Sequence, residues 1–234
     1  HFLFGAFFIV ALLAVVSISG IWLMDPLTLP IRQVSINGKF EHLSPASLER
    51  RAAEVVSGGF LNVNVDEIRS VLLEEPWVHE VSVKRVWPDR LMVNIQEQVA
   101  VARWRDQGLL NMDAGIFKPE PDTYPESLPL ISGPLDSHTG VLSKYQQLLQ
   151  ILPKGLMIAE LSLSDRRSWE IKLNNGSLFR LGKHDIERRL ERFIRYFPDV
   201  TQNLVEQIQY IDLRYTNGFS INWNTNSDKD PAIL

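Results

Sequence analysis

The chain of 234 residues contains no cysteine. This absence excludes thiol catalysis, disulfide bonds and cysteine-ligated zinc together. The chain also lacks a strong excess of charge, since its formal net charge is -4 at pH 7. Proteins that bind nucleic acid usually present a basic face, so a weakly acidic composition argues against that class of partner. The length is sufficient for one or two domains and an additional segment.

Motifs that carry catalysis or bind a cofactor are absent as well. The five histidines, at positions 1, 42, 79, 138 and 184, never have the spacing of a metal-binding helix. No Gly-x-Ser-x-Gly elbow is present, and Gly58-Gly59 is not followed by the Gly-Lys-Ser/Thr of a phosphate loop. The carboxylates are scattered along the chain. We therefore predict a protein that is not an enzyme, without catalytic, cofactor or metal sites, whose histidines are ordinary surface residues.

Charge is missing altogether from Phe2 to Met24. As a helix this segment reaches roughly 34 Å, enough for a hydrocarbon core of about 30 Å. A cleaved signal peptide is the competing interpretation, with Ser17-Ile18-Ser19 as its cleavage site. Because the apolar run continues beyond the usual signal length, we favour a transmembrane anchor over residues 1–25, ended by Asp25-Pro26. We expect a preceding segment to carry the Lys and Arg residues that set the orientation.

Residues 26–98 have the pattern of a small domain with the element order β-α-α-β-β. A strand is predicted over Ile31–Gly38. Ser44-Pro45 predicts a helix start, with Ser as N-cap and Pro at the first helical position. A second helix is predicted over Asp66–Glu75, and two strands follow around a turn at Val86–Arg90.

Two tryptophans of this domain stand beside proline, in Pro76-Trp77 and Trp87-Pro88. They are predicted to pack the core and shape turns. The alternative is that they are surface anchors for a partner, because tryptophan is enriched at binding hot spots.

Residues 99–226 predict a mixed α+β domain with a largely antiparallel sheet, followed by a tail over 227–234. Asn175-Gly176 is typical of a hairpin turn. A helix is predicted over His184–Phe197, with an apolar stripe at helical spacing. Its arginines lie largely off the stripe and are predicted to form a solvated face; the alternative is binding to anionic lipid or an acidic partner. They are Arg188, Arg189, Arg192 and Arg195.

The stretch "YIDLRYTNGFSINW", Tyr210–Trp223, predicts a second hairpin around Thr216-Asn217-Gly218. In its first strand, Ile211, Leu213 and Tyr215 should share one face. No Lys or Pro interrupts the second strand, although such residues usually protect an exposed sheet edge. One interpretation is that a partner strand adds to this edge by β-augmentation. The other is that these are ordinary strand residues whose edge is covered by the tail.

Several motifs together resemble the FtsQ/DivIB family of bacterial division proteins and its POTRA domain. They are "FLNVNVDEI", "PWV", "V-x-R-x-WPD-x-L" and "E-x-x-x-VARW" in the first domain, and "LNNGSLFRLGKHDIERRLERF" and the terminal hairpin in the second. The resemblance covers nearly the whole chain. It departs from the family at Gln98, where the family usually has Arg, at Ala100, where it usually has Pro, and in the turn at Thr216 and Asn217.

The resemblance implies a single-pass inner-membrane protein at the division septum, with its C-terminal domains in the periplasm. It implies that the terminal edge binds the FtsB/FtsL coiled coil, that the POTRA domain and membrane helix contact other divisome proteins, and that the protein helps recruit and regulate septal cell-wall synthesis. No nucleic acid is expected as a partner. The residues assigned to partner binding are Lys183, Arg214, Tyr215, Asn217, Gly218, Phe219, Ile221 and Trp223.

Two alternatives come from other classes. A POTRA-bearing component of outer-membrane assembly or secretion should contain several POTRA units or a run of about ten-residue alternating strands, and the sequence has neither pattern. An anchored periplasmic enzyme would need titratable groups that converge in a cleft.

Overall fold

A computed structural model describes residues 2–24, 27–196 and 208–223. The chain forms two compact units, His1–Gln98 and Val99–Leu234. The predicted helix stop at Asp25-Pro26, the end of the second-domain helix at Phe197 and the tail over 227–234 lie outside the described residues.

Helix α1 runs over Phe2–Met24 and carries neither an acidic first turn nor a basic last turn. Its side chains from Phe7 to Ser19 are exposed. The side chains at both ends of α1 lie outside the described part of the structure. Among the residues whose side chains are described, no helical stretch is long and apolar enough to cross a membrane.

The remainder of the first unit has the predicted β-α-α-β-β order. Its elements are β1 (Gln33–Asn37), α2 (Pro45–Val55), α3 (Val65–Leu73), β2 (Val78–Val86) and β3 (Arg90–Glu97). The sheet order is β1-β3-β2, with β1 parallel and β2 antiparallel to β3. Leu48, Ile68 and Leu72 of the helices are buried with Leu91 and Val93 of the central strand, because apolar residues at helical and alternating spacing face each other across the two layers.

The two helices of this unit begin in different ways. Ser44 occupies the N-cap of α2, as predicted, although its side chain makes no capping hydrogen bond. At α3 the side chain of Asn64 accepts a hydrogen bond from the Glu67 backbone N–H at 3.3 Å. Pro45 fixes the first helical position of α2 without needing a donor there, which agrees with the predicted start.

The two tryptophans have opposite environments. Trp77 is 3 % exposed and stacks on the His42 ring with centroids 3.7 Å apart. Trp87 is 76 % exposed at the β2–β3 turn, so the prediction that both pack the core was wrong for Trp87. His42 is also more than an ordinary surface residue, because its Nδ1 lies 2.7 Å from Oε1 of Glu97.

The second unit contains nine strands and two α-helices within the described residues. They are β4 (Ala100–Trp104), β5 (Gly108–Asn111), β6 (Ile116–Phe117), β7 (Leu130–Ser132), α4 (His138–Ile151), β8 (Ile158–Leu163), β9 (Trp169–Leu173), β10 (Leu178–Gly182), α5 (Ile186–Tyr196), β11 (Ile208–Asp212) and β12 (Ser220–Trp223).

These strands form one sheet in the order β12-β11-β10-β9-β8-β7-β4-β5-β6. The pairs β10–β11, β7–β8 and β4–β7 are parallel, and the other neighbours are antiparallel. The unit is therefore a mixed α+β domain, as predicted. The two long segments that contain α4 and α5 account for two of the parallel pairs, since parallel neighbours need a crossover connection.

The β9–β10 hairpin and α5 follow the sequence pattern closely. Gly176 in the predicted turn has φ +89, a value that glycine adopts at little cost. Ile186, Leu190 and Phe193 of α5 are buried in the core. Phe193 packs edge-to-face on Phe179 with ring centroids 5.3 Å apart. These contacts fix the rotation of α5 about its axis and so decide where its arginines point.

Candidate interaction surface at the edge of the sheet

The terminal hairpin forms, but its connection is longer than predicted. Strands β11 and β12 are antiparallel, with Asp212 opposite Ser220 as the last pair. The connection runs over residues 213–219, and we call it the terminal loop. Within the described residues β12 pairs only with β11, so its other side is an edge of the sheet. An open edge presents backbone N–H and C=O groups that a further strand can pair with.

The side chains of the hairpin divide differently from the predicted alternation. Ile211 and Leu213 are fully buried, as expected for the core face. Tyr215 is 56 % exposed, so its predicted place on that face was wrong. The reason is that the chain leaves the strand after Asp212, and period-two alternation applies only within a strand.

Beyond the loop, the apolar residues form a partly open surface. Phe219 and Ile221 are half-buried and pack against the core. The Phe219 ring stands edge-to-face on Phe193 with centroids 5.0 Å apart. Trp223 is 38 % exposed at the end of β12. Exposed Tyr215 and Trp223 therefore stand at opposite ends of the segment that carries the sheet edge, and aromatic residues of this kind dominate binding hot spots.

Arg214 is occupied within its own chain. Its Nη2 lies 2.6 Å from Oδ2 of Asp212, and its Nε lies 2.9 and 3.0 Å from the two carboxylate oxygens. The Arg214 backbone N–H also donates to Oδ1 of Asp212 at 3.0 Å. Hydrogen bonds from Arg214 hold the pKa of Asp212 below its ordinary value, against the opposing effect of burial. The Arg214 side chain is 55 % exposed, so a partner carboxylate would share this guanidinium with Asp212.

Lys183 is exposed and directly follows the end of β10. Because β10 and β11 run parallel, with Arg180 opposite Asp212, Lys183 and Arg214 leave the sheet at the same end. The Arg214 and Arg189 side chains both lie close to Gly182, since a Cβ added there would be 3.1 Å from Cγ of Arg214 and 3.0 Å from Nη1 of Arg189. The two predicted basic residues are therefore brought to one end of the hairpin.

Arg192 is a residue that the sequence interpretation missed. Its Nη1 donates to the Thr216 carbonyl at 2.6 Å, and its Nη2 donates to the carbonyls of Tyr215 and Gly218 at 3.0 and 3.1 Å. Arg189 donates to the Leu181 carbonyl at 3.0 Å. The predicted solvated face was thus wrong for these two arginines, although Arg188 and Arg195 are exposed. Helical spacing places an arginine off the apolar stripe, but it does not reveal which carbonyls lie nearby.

A second cationic contact lies on the neighbouring strands. The guanidinium of Arg180 sits over the Tyr210 ring, 4.1 Å from its centroid, and its Nε lies 3.6 Å from Oε1 of Glu170. Arg180 also contributes to the low pKa of Asp212 by its charge. Arg180 of β10, Lys183 directly after it and Arg214 of the terminal loop thus lie beside the hairpin, and their charge is complementary to acidic groups.

Two further concave sites of the described residues bring together charged and polar side chains. A groove of about 680 Å³ lies between β1 and α2, and its polar lining consists of Arg32, Gln33, Glu49 and Arg50. A cleft of about 400 Å³ lies where β7 and β8 end, and four serines, Arg105, Asp165 and Glu170 line it. In the part of the chain that the structure describes, no group of His, Asp or Glu residues has the arrangement of a metal site.

Comparisons with known proteins give a consistent result over both units. A family model described as "POTRA domain, FtsQ-type" matches residues 29–98, and one described as "Cell division protein FtsQ/DivIB, C-terminal" matches residues 102–214. The Cell division protein FtsQ of Coxiella burnetii is 37% identical over 92% of this chain and 90% of its own length. The proteins of the same name from Allochromatium vinosum and Escherichia coli are 34% and 31% identical over 87% and 94% of this chain, and over 82% and 83% of their own lengths.

Proposed function

Because this chain belongs to the FtsQ/DivIB family of cell division proteins, we propose that it is a non-enzymatic scaffold of the divisome. It binds the FtsB/FtsL coiled coil through the edge of β12 and helps recruit and regulate septal cell-wall synthesis. The observation that carries this proposal is the edge of β12, which pairs with no strand other than β11 within residues 2–24, 27–196 and 208–223, beside exposed Tyr215 and Trp223. A partner strand gains main-chain hydrogen bonds along such an edge, and the neighbouring side chains select its sequence.

The charge around the hairpin supports an acidic segment in the partner. Lys183 and the exposed side of Arg214 leave the same end of the sheet, and Arg180 lies on the adjacent strand. Arginine binds a carboxylate with two parallel hydrogen bonds when the geometry allows. The eight residues assigned from the family resemblance therefore remain our proposed binding residues, with Asp212 and Arg192 added as residues that organise them.

We further propose that residues 1–25 anchor the chain in the inner membrane, with the domains in the periplasm at the division septum. The uncharged apolar composition of Phe2–Met24 and its helical form support this assignment. The proposed boundaries are 26–98 for the POTRA domain, 99–226 for the C-terminal domain and 227–234 for the tail. In this arrangement the POTRA domain and the membrane helix contact other divisome proteins, and the anchor raises the local concentration of membrane-bound partners.

The proposal is tested by calorimetric titration of the full chain in detergent with a periplasmic FtsB segment. Tyr215→Ala and Trp223→Ala should each weaken binding by about 2 kcal/mol, the typical loss at a hot spot. Both side chains are exposed, so circular dichroism should show unchanged folding. Tyr196→Ala is the matched control, because Tyr196 is 70 % exposed at the end of α5. Wild-type affinity in both folded hairpin variants would exclude the edge as the docking site.

A further inference from the structure

The terminal loop has little hydrogen bonding of its own. Within the described residues, no backbone-to-backbone hydrogen bond joins two residues of the segment 214–218. The Leu213 N–H donates out of the loop, to the Arg180 carbonyl at 2.9 Å. A seven-residue connection without internal bonds has many accessible conformations, and selecting one of them costs conformational entropy. Something outside the loop must therefore determine its shape.

One guanidinium supplies that constraint. Arg192 donates to the carbonyls of Tyr215, Thr216 and Gly218, so a single side chain holds both flanks of the turn. The planar fork of arginine fixes the directions of its donors, and a more flexible cation does not. Tyr215 is the residue whose carbonyl is held and whose side chain is exposed.

The position of Arg192 is in turn fixed by the core. The next residue, Phe193, is 2 % exposed and packs edge-to-face against both Phe179 and Phe219. Phe219 is the last residue of the loop before β12. The loop is therefore held twice by adjacent residues of α5: by apolar contact at Phe219 and by hydrogen bonds at three carbonyls.

We propose that Arg192 is a positioning residue for partner docking: it preorganises the terminal loop so that Tyr215 and the start of β12 are presented in the binding conformation. This inference rests on the proposed function, because it assumes that the hairpin is the docking site. Arg192 acts on the loop and not on the partner. Its removal should reduce affinity because the partner would then have to order the loop on binding.

The experiment combines two measurements on the full chain in detergent. Hydrogen exchange of the free protein reports the order of the loop through the amides of Leu213 and Arg214, which donate to the Arg180 carbonyl and to Oδ1 of Asp212. Calorimetry reports binding of the same periplasmic FtsB segment. We expect Arg192→Gln to speed exchange in the loop and to weaken binding, each about tenfold, the size of effect for a few lost hydrogen bonds. Arg192→Lys should recover part of both effects, since it keeps the charge and can donate to some of the carbonyls.

Arg188→Gln is the matched control. Arg188 lies on the same helix and is exposed, and among the described residues its side chain makes no hydrogen bond or ion pair. The control should leave both exchange and affinity at wild-type values. Equal losses in the two variants would show that net charge on α5 matters and would overturn the inference.

The other outcomes are also decisive. Weaker binding of Arg192→Gln without faster exchange would mean that Arg192 contacts the partner itself, which contradicts a positioning role. Faster exchange with unchanged affinity would show that loop order does not govern docking. If the wild-type protein fails to bind the segment, the proposed function fails and this inference fails with it, whereas wild-type binding with an unaffected Arg192→Gln variant overturns the inference alone.

Discussion

The Arg214 guanidinium is bound to the Asp212 carboxylate two positions earlier, at the point where β11 ends. Asp212 is 4 % exposed, whereas the Arg214 side chain is 55 % exposed. A buried carboxylate without a partner is costly, and here one arginine supplies two side-chain donors and a backbone N–H. The pair therefore closes the end of the strand while it leaves one side of the guanidinium open to solvent.

Asp212→Asn should lower the free energy of unfolding by about 1 to 2 kcal/mol at pH 7, because hydrogen bonds to charged groups are lost. The pKa of Asp212 is lowered in the folded state. Its contribution is therefore present above the unfolded-state pKa of about 3.9 and is lost as the pH falls through the lower folded-state value. Urea denaturation at pH 7 and at about pH 3 should show the difference between wild type and variant shrinking at the lower pH. A difference independent of pH would contradict this account.

The two tryptophans of the POTRA domain provide a matched pair. Trp77→Ala should destabilise this domain by about 3 to 4 kcal/mol, because it removes a buried aromatic ring. Trp87→Ala should change its stability by no more than about 0.5 kcal/mol, since the side chain is largely in solvent. Urea denaturation followed by far-UV circular dichroism distinguishes the two. Similar losses in both variants would show that Trp87 packs in solution.

Two glycines should respond to alanine in opposite directions. Gly182 has φ +82, and an added Cβ would lie 3.0 Å from Arg189 and 3.1 Å from Arg214, so Gly182→Ala should destabilise by about 1 to 2 kcal/mol. Gly140 lies in α4 with nothing within 4 Å of an added Cβ, and Gly140→Ala should stabilise by about 0.5 to 1 kcal/mol. Thermal unfolding of both variants checks the signs.

Glu97 should be important for the first domain. Its Oε2 accepts the Glu41 N–H at 2.9 Å, and its Oε1 accepts the His42 N–H at 2.9 Å and lies 2.7 Å from the His42 ring. Glu97→Ala leaves these groups without their acceptor and should cost about 1 to 3 kcal/mol. Glu80→Ala is the control, since Glu80 is exposed on β2 and its side chain makes no hydrogen bond or ion pair within the described chain.

Hydrogen exchange gives a local reading of the same cluster. The amides of Glu41 and His42 should exchange faster in the Glu97→Ala protein and remain unchanged in the Glu80→Ala protein. Unchanged protection in the first variant would show that the carboxylate does not hold this loop.

The elements that could be predicted from the sequence are those whose geometry is set by residues close together in the chain. Asn175-Gly176 predicted a hairpin because its turn geometry is set by the two turn residues themselves. The β-α-α-β-β order was likewise predictable from periodicity and from the proline and glycine signals. The terminal hairpin was predicted correctly as a hairpin. The predicted alternation of faces, however, extended through Leu213 to Tyr215, whereas the strand ends at Asp212.

The contacts that organise the candidate surface depend on distant residues. Arg192 reaches the Tyr215, Thr216 and Gly218 carbonyls only because α5 packs on the sheet that contains β11. The spacing of side chains along α5 carries no information about these carbonyls. The environments of Trp77 and Trp87 could not be distinguished for the same reason. Both stand beside proline, and only the packed structure provides His42 as a stacking partner for one of them.

The place of β12 at the edge has a consequence for the lifetime of a complex. Within the described residues this strand is paired on one side only, and hydrogen-bonded units at a sheet edge open locally at lower free energy than the whole domain. A strand bound to β12 would leave whenever β12 itself detaches from β11. Fraying of this hairpin would therefore be one route of dissociation, and a change that strengthens the β11–β12 pairing would slow that route without touching the partner.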